Sequence, residues 1–223
     1  MSGAGLGERG APRPVLRPWL AAVAPAAHGS WRRAPGPDLL RAAARGLLLD
    51  QAAAYRRAGH PCPFEEAADF RQGPGGAPLP LGPWHWAVSH TPGWCAALLA
   101  PLGSAGPLGL DLEHAGRPVS AALAERLARL APLGNEGPLG RWLRVEALAK
   151  LSGEGLALLA KIGGPVGLSD GLERWSFDGR SALTRLERVG GLWLGCAWSV
   201  PFELAPWCPP PEPGPSSPLP FCP

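Results

Sequence analysis

Two acidic side chains in one short segment are the first candidates for chemistry in this chain. Asp111 and Glu113 belong to the segment GLDLE at 109–113, whose pattern predicts a strand. Alternate residues of a strand face the same side, so the two carboxylates point the same way, about 7 Å apart. Because like charges repel, a hard cation such as Mg²⁺ between them would stabilise the pair. A solvated face of an edge strand would carry the same pattern, and these two residues alone leave that alternative open.

A second group of functional side chains lies on a predicted helix. In WLRVEALAK at 142–150, the residues Trp142, Glu146 and Lys150 recur every four positions and share one stripe of the helix. The glycines of GEGL at 153–156 would end the helix and let its backbone approach a ligand closely. Glu146 and Lys150 could equally form an exposed ion pair worth about 0.2–0.5 kcal/mol.

The third group is the segment VSHT at 88–91, at the tip of a predicted hairpin. Its Ser89 hydroxyl and His90 imidazole can donate hydrogen bonds to phosphate oxygens. A histidine in a turn is also typical of an ordinary surface position. The sequence contains no Gly-x-Ser-x-Gly elbow and no sign of a Ser-His-Asp triad, so a serine hydrolase has no support.

The elements around these residues predict an α+β fold. Apolar residues at helical spacing, Asp38 as an N-cap and prolines at helix starts predict helices over 38–59, 118–130 and 138–151. Alternation and turn residues predict strands over 84–88, 94–99, 108–112, 173–177, 183–188 and 192–200. Residues 1–36 are predicted to be irregular, and the proline-rich residues 205–223 to form a disordered tail.

The composition limits the function classes. The chain has 223 residues, of which 46% are hydrophobic and 17% charged, as expected for one large or two small globular domains. A net charge of +3 is too small to predict nucleic-acid binding, although nine arginines within residues 1–60 would suit a phosphate-rich ligand. Five cysteines without a CxxC pattern argue against a zinc site or a disulfide framework and favour a reducing compartment. No apolar run approaches the roughly 20 residues of a membrane span.

The segments VSHT, GLDLE, WLRVEALAK and GEGL, in this order and at these separations, resemble the motifs of the 4′-phosphopantetheinyl transferase superfamily. The resemblance is to its larger monomeric type, and it covers residues 70–200 well and residues 38–60 loosely. It implies two pseudo-symmetric subdomains, each a helix packed on a small antiparallel sheet, with a nucleotide cleft between them. The N-terminal subdomain would span residues 37–105, and the C-terminal subdomain, with the metal site, residues 106–204.

The activity implied by the resemblance is transfer of the 4′-phosphopantetheine arm of coenzyme A to a serine of an acyl or peptidyl carrier protein, releasing 3′,5′-ADP. By position in the motifs, the Mg²⁺ ligands would be Asp111, Glu113 and Glu146. Glu146, directly or through a metal-bound water, would also be the base for the carrier serine, and Lys150 would neutralise charge on the transferring phosphate. The coenzyme contacts would come from Arg45, Ser89, His90 and Lys150. The resemblance further implies a cytoplasmic monomer that uses neither a membrane nor nucleic acid.

The chain departs from the family pattern at three positions. Val145 stands where the family has a lysine before the motif glutamate. Arg144, one place earlier, is turned by about 100° on a helix, so it is not an automatic substitute. Ala77 replaces the lysine of the family's Gly-Lys-Pro loop, and Thr91 replaces a serine. The loss of two cations near a phosphate site would weaken coenzyme binding or activity.

Two alternatives of a different class remain. A non-catalytic relative that binds coenzyme A or a carrier protein is favoured by the cations missing at Val145 and Ala77. An unrelated α+β domain would show no Mg²⁺-dependent stabilisation by coenzyme A. The retained acidic residues and Lys150 favour the active enzyme, because a degenerate enzyme would tend to lose those as well.

Overall fold

The computed structural model describes residues 18–23, 36–73, 76–101, 107–167 and 171–199 of the chain. They form an α+β fold in which helices pack on two antiparallel sheets. The strands are β1 (Trp19–Ala22), β2 (Trp84–Thr91), β3 (Trp94–Pro101), β4 (Leu108–His114), β5 (Val166–Gly167), β6 (Leu172–Phe177), β7 (Arg180–Val189) and β8 (Leu192–Trp198). The helices are α1 (Pro37–Arg57), α2 (Ala121–Leu130) and α3 (Gly137–Ser152), with 3₁₀ turns at Ala67–Asp69, Gly134–Glu136 and Gly155–Ala160.

The smaller sheet has the order β1-β3-β2 and carries helix α1 on one face. One face of α1 contributes apolar side chains to the core beneath it, namely Ala44, Leu47, Leu48 and Ala52. Gln51 fixes the helix on the sheet, because its buried amide donates to the carbonyl oxygen of Ala97 (2.9 Å) and accepts from the N–H of Leu99 (2.7 Å). A buried polar group with both hydrogen bonds made favours one register of helix on sheet.

The larger sheet has the order β4-β8-β7-β6-β5, and α3 lies across β4 and β8. Two glycines allow the close approach. A Cβ on Gly109 would overlap the carbonyl oxygen of Ala147, and a Cβ on Gly195 would lie 2.8 Å from the carbonyl oxygen of Leu143. The helix ends at Gly153, which adopts the left-handed conformation (φ 74°) typical of a C-terminal glycine. The glycine of GLDLE therefore determines how closely the helix sits against the carboxylate strand.

The two sheets meet along β2 and β4, which are edge strands of their respective sheets. We call this region the junction. Hydrogen bonds join Ser89 to Asp111 and Thr91 to Glu113, each pair 22 residues apart, so the two strands run in the same direction. The Ser89 hydroxyl also accepts the N–H of Leu112 (3.1 Å). The Ser89 hydroxyl thus accepts a backbone N–H at the edge of β4 that a neighbouring strand would otherwise bind.

Most predicted elements are confirmed, although several strands are longer than predicted. The hairpin of β2 and β3 turns at Pro92 and Gly93, and β4 continues two residues beyond the predicted end to His114. Strands β6 to β8 have their turns at 178–179 and 190–191. Prediction missed the two-residue strand β5 and the 3₁₀ turn Gly155–Ala160, because both are too short to show a periodicity.

Three expectations were wrong at the ends of elements. Residues 1–36 are not irregular throughout, because Trp19–Ala22 form β1 and pair with β3. Asp38 is not the N-cap of α1; the cap is Gly36, and Asp38 lies in the first turn, paired with Arg41. Helix α2 begins after the cap Ser120, not at Pro118.

Parts of two further expectations lie outside the described residues. These are the tail 205–223 and the last predicted strand residue, Val200. Within the described residues, no helix combines the length and apolar character needed to cross a membrane.

Candidate functional site

Lys150 and Asp111 form the centre of the site at the junction. The Lys150 ammonium lies 2.5 Å from Asp111 Oδ1 and donates to the Ser89 hydroxyl (3.1 Å) and the carbonyl oxygen of Leu110 (2.9 Å). Ser89 in turn donates to Asp111 Oδ1 (3.0 Å). Three predicted site residues, from three separate motifs, are therefore in direct contact.

Glu146 lies one turn before Lys150 on α3 and is half-buried. Burial raises the pKa of Glu146, and the nearby carboxylates of Asp111 and Glu113 raise it further, while Lys150 and Arg117 act in the opposite sense. Among the described residues none donates a hydrogen bond to this carboxylate. The pKa of Glu146 is therefore raised above its ordinary value, and its carboxylate oxygens are available to bind a ligand.

Glu113 has a different environment from the other two carboxylates. Its Oε1 accepts from the Thr91 hydroxyl (2.6 Å) and the N–H of His114 (2.9 Å), and its Oε2 is paired with Arg117. Burial acts to raise the pKa of Glu113, but these hydrogen bonds and Arg117 outweigh it and lower the pKa. Sequence reasoning did not include Arg117, whose position four residues after Glu113 was the only available signal.

His90 and Arg45 were also predicted to belong to the site. His90 is exposed and follows Ser89 on β2, so its ring points to the opposite side of the strand. Partial burial, Lys150 and Arg41 lower the pKa of His90. Arg45, one turn after Arg41 on α1, is half-buried, and no hydrogen bond or ion pair joins it to another described residue. Among the described residues, no hydrogen bond or ion pair joins His90 or Arg45 to Ser89, Asp111 or Lys150, so the structure does not bring these two predicted residues into the bonded group.

A cavity of about 200 Å³ opens beside Lys150. Its walls include Ala77 and Pro78 from the loop before β2, and Ser152 and Gly153 from the end of α3. The loop that contains Ala77 and the glycine-rich end of α3 therefore border one space, which Lys150 also lines.

Neither Val145 nor Arg144 brings a positive charge to this site. Val145 is fully buried in the core beneath α3. Arg144 is buried elsewhere, where it donates to Glu136 (2.9 Å), to the Thr184 hydroxyl (3.1 Å) and to the carbonyl oxygen of Gly171 (3.0 Å). Arg144 therefore contributes no hydrogen bond or ion pair to the group formed by Ser89, Asp111 and Lys150.

The acidic side chains suit a hard divalent cation chemically. The described residues contain no group of three His, Cys, Asp or Glu side chains already arranged as a metal site. However, three carboxylates of this group share the positive charges of Lys150 and Arg117, and burial, together with the charges of Asp111 and Glu113, raises the pKa of Glu146. Oxygen donors with an uncompensated charge are what Mg²⁺ prefers.

Comparisons with models of known protein families and with curated protein sequences gave no match to this chain.

Proposed function

We propose that this chain transfers the 4′-phosphopantetheine arm of coenzyme A to a serine of an acyl or peptidyl carrier protein, with Mg²⁺ as cofactor and 3′,5′-ADP as the leaving product. The observation that carries the proposal is the contact of Lys150 with both Asp111 and Ser89 across the junction. The motifs that resemble those of the transferase family are far apart in the chain, and an unrelated fold would bring them together only by coincidence.

The position of Lys150 supports a role in binding the diphosphate of the coenzyme. Its ammonium group contacts Asp111, and Lys150 also lines the cavity bordered by Ala77 and Gly153. A diphosphate at the mouth of this cavity would meet a fixed positive charge. Phosphoryl-type transfer depends mainly on positioning and charge neutralisation, which is what a fixed ammonium group provides.

Glu146 has the properties of the general base. The hydroxyl oxygen of the carrier serine forms a bond to the phosphorus that carries the pantetheine arm, and the bond from this phosphorus to the bridging diphosphate oxygen breaks. The electron pair of that bond leaves with 3′,5′-ADP, and Glu146 takes the serine proton. A carboxylate whose pKa is raised by burial and by Asp111 and Glu113 is a better base near neutral pH.

Mg²⁺ would be held by carboxylates of this group, for which the motif pattern implies Asp111, Glu113 and Glu146, and it would supply charge neutralisation on the diphosphate. The two-sheet architecture supports the family resemblance, since α1 on the smaller sheet and α3 on the larger sheet give two helix-on-sheet units. We further propose that the protein is a cytoplasmic monomer and that its partners are coenzyme A and a carrier protein.

A second function is favoured by one observation. Arg144 is committed to Glu136 and Thr184, and Val145 and Ala77 bring no charge, so two cations of the family pattern have no replacement in the described part of the chain. A protein that binds coenzyme A or a carrier protein without turnover is therefore the second candidate.

The test is incubation with apo carrier protein, coenzyme A and Mg²⁺, followed by intact mass spectrometry. The proposal expects a mass gain of one phosphopantetheine group, which EDTA abolishes. Lys150→Met should abolish the gain as well. The matched control is Lys161→Met, because Lys161 is the chain's other lysine and pairs with Glu154 and Asp178 at the surface.

The two candidate functions give different outcomes in this experiment. No gain with several acyl and peptidyl carrier proteins, together with retained binding of coenzyme A, would replace the transferase proposal by the binding-module function.

A further inference from the structure

The two acidic residues of β4 differ in whether they have an oxygen available for a ligand. Asp111 accepts hydrogen bonds only through Oδ1, from Ser89 and Lys150, and no described residue donates a hydrogen bond to Oδ2. Glu113 uses both oxygens, for Thr91, the N–H of His114 and Arg117. The strand pattern places both side chains on one face, but only Asp111 keeps an oxygen without a hydrogen bond from a described residue.

The contacts of Glu113 tie two chain segments together. Thr91 is the last residue of β2 and is 3% exposed, and Glu113, near the end of β4, is 8% exposed. Arg117 closes the group from the turn that follows β4. We call Thr91, Glu113 and Arg117 the hairpin clamp. His114 adds a second tie, because its Nε2 lies 2.9 Å from the carbonyl oxygen of Pro92 in the hairpin turn and, since a carbonyl only accepts, donates to it.

We propose that Glu113 is a positioning residue, and that Asp111 and Glu146 alone hold the divalent cation. This inference rests on the proposed function, because it concerns the cation of that reaction. It departs from the ligand set that the motif pattern implies, in which Glu113 is the third ligand.

The hydrogen bonds of Glu113 oppose a role as ligand. Oε1 of Glu113 already accepts two hydrogen bonds, so a cation bound there would displace the N–H of His114 or leave the buried Thr91 hydroxyl without its acceptor, which is unfavourable. A cation bound through Oε2 would lie beside Arg117, whose positive charge already neutralises the carboxylate. A cation next to Arg117 would also be repelled by the guanidinium group.

The positioning role follows from the register of the junction. The hairpin clamp fixes Thr91 against Glu113, and two residues earlier on each strand the same register places Ser89 against Asp111. The hairpin clamp therefore keeps Asp111 in line with Lys150 without touching either residue. Loss of the clamp would disturb the site through the strands and would leave both cation ligands in place.

The decisive variant keeps the net charge of the site unchanged. Glu113→Gln combined with Arg117→Gln removes one negative and one positive charge together, so long-range electrostatics stay the same. Mn²⁺ binding is measured by the electron paramagnetic resonance of the free ion, with and without saturating coenzyme A. We expect Mn²⁺ affinity within threefold of the wild type for this double variant, and at least a tenfold loss for Asp111→Asn and for Glu146→Gln.

A tenfold loss of Mn²⁺ affinity in the charge-neutral double variant would overturn the inference, and so would a wild type that binds no Mn²⁺. The carrier-protein mass assay is independent of this measurement. Failure of the inference with successful transfer would leave the proposed function standing, whereas failure of transfer would remove the proposed function itself.

A crystal of the wild type grown with Mn²⁺ and coenzyme A provides a measurement that does not depend on how a variant folds. Anomalous scattering locates the Mn²⁺ ion. Oxygens of Asp111 and Glu146 should bind it, while Glu113 stays on Thr91 and Arg117. A bond from Glu113 to Mn²⁺ would contradict the inference.

Two variants of Thr91 test whether the hairpin clamp positions the site or only stabilises the fold. Thr91→Val removes the hydroxyl that holds Glu113, and Thr91→Ser keeps it. We expect Thr91→Val to lower the transfer rate about tenfold, Thr91→Ser to restore it to within threefold, and Mn²⁺ affinity to stay within threefold in both variants. Wild-type transfer rates in Thr91→Val would show that the hairpin clamp does not position the site.

Discussion

Helix α3 carries a group of charged residues at each end, and the two groups differ in whether their charges cancel. Near its start, Arg141 and Arg144 meet Glu136 and Glu173 in a buried group of two cations and two anions. Near its end, Glu146 faces Asp111, Glu113, Lys150 and Arg117, where carboxylates outnumber cations. In the first arrangement cations and anions are equal in number, whereas the second has room for another positive charge.

The balanced group is held mainly by contacts within the protein. Arg141 donates to Glu173 (2.7 Å) and to the carbonyl oxygen of Pro132 (2.9 Å), and it lies 5.4 Å from the ring centre of Trp175. Although burial raises the pKa of Glu136, both arginines act to lower it. A cavity of about 320 Å³ borders this group, but its charges are already paired with each other. This comparison shows that charge on a helix indicates a ligand site only where the tertiary structure leaves it uncompensated.

The largest expected effect is on transfer at the unbalanced end. Glu146→Gln keeps the size of the side chain and removes the base, so the rate of phosphopantetheine transfer should fall about 10²–10⁴-fold. The Tm should stay the same or rise, because the change relieves repulsion from Asp111 and Glu113. The control is Glu125→Gln, which changes an exposed pair with Arg129 on α2. Equal rates in the two variants would contradict the role of Glu146.

At the balanced end the expected effect is on stability. Arg144→Met removes one cation of a buried group and leaves Arg141 alone with Glu136 and Glu173, so the free energy of unfolding should fall by about 3–5 kcal/mol. Urea unfolding measures this change. Arg129→Met breaks only the exposed pair with Glu125, and its expected loss is about 0–1 kcal/mol. Similar losses in both variants would mean that the buried group contributes no more than a surface pair.

Gly109→Ala affects the attachment of α3 to the sheet and should have an intermediate effect. The added Cβ would overlap the carbonyl oxygen of Ala147, so the helix has to move away from β4. We expect a loss of about 1–3 kcal/mol in the free energy of unfolding together with a lower transfer rate. Gly116→Ala is the matched control, because a Cβ there would meet nothing within 4 Å. Normal stability and transfer in Gly109→Ala would show that the close approach is not needed.

The smallest effect concerns the pH dependence of stability. Burial and the neighbouring carboxylates raise the pKa of Glu146 above its ordinary 4.5, so the folded chain holds this proton more tightly than the unfolded chain. The contribution of Glu146 to stability is present below the ordinary pKa and is lost as pH rises through the raised value. Because glutamine does not ionise, the Tm of Glu146→Gln relative to the wild type should increase from about pH 4 to about pH 7.

Glu113 should show the opposite sign. Its pKa is lowered in the folded chain, since hydrogen bonds from Thr91 and His114 and the charge of Arg117 outweigh burial. Its stabilising contribution is present above the ordinary pKa and is lost as pH falls through the lowered value. Thermal unfolding of Glu113→Gln should therefore approach that of the wild type as the pH falls. The same pH trend in both variants would contradict the distinction between the two carboxylates.

The sequence predicted the elements that carry the site and part of what surrounds it. The apolar spacing and the flanking proline and glycine predicted α3, and the strand pattern of GLDLE predicted β4, because both signals are local. Prediction did not find β1, whose four residues gain their structure from pairing with β3. It also did not find the buried group of Arg141 and Arg144, because arginines on a helix normally indicate a solvated face.

By itself, the sequence determined which side chains share a face. A period of two residues places Asp111 and Glu113 on one side of a strand, and a period of 3.6 places Glu146 and Lys150 on one stripe of a helix. Only the tertiary structure decided which of these side chains meet, since the contacts of Lys150 with Asp111 and Ser89 span 39 and 61 residues. It also decided that Thr91 and Arg117 occupy Glu113 while Asp111 keeps an oxygen available. Periodicity acts between near neighbours, whereas hydrogen-bond partners at a junction depend on how distant strands and helices pack.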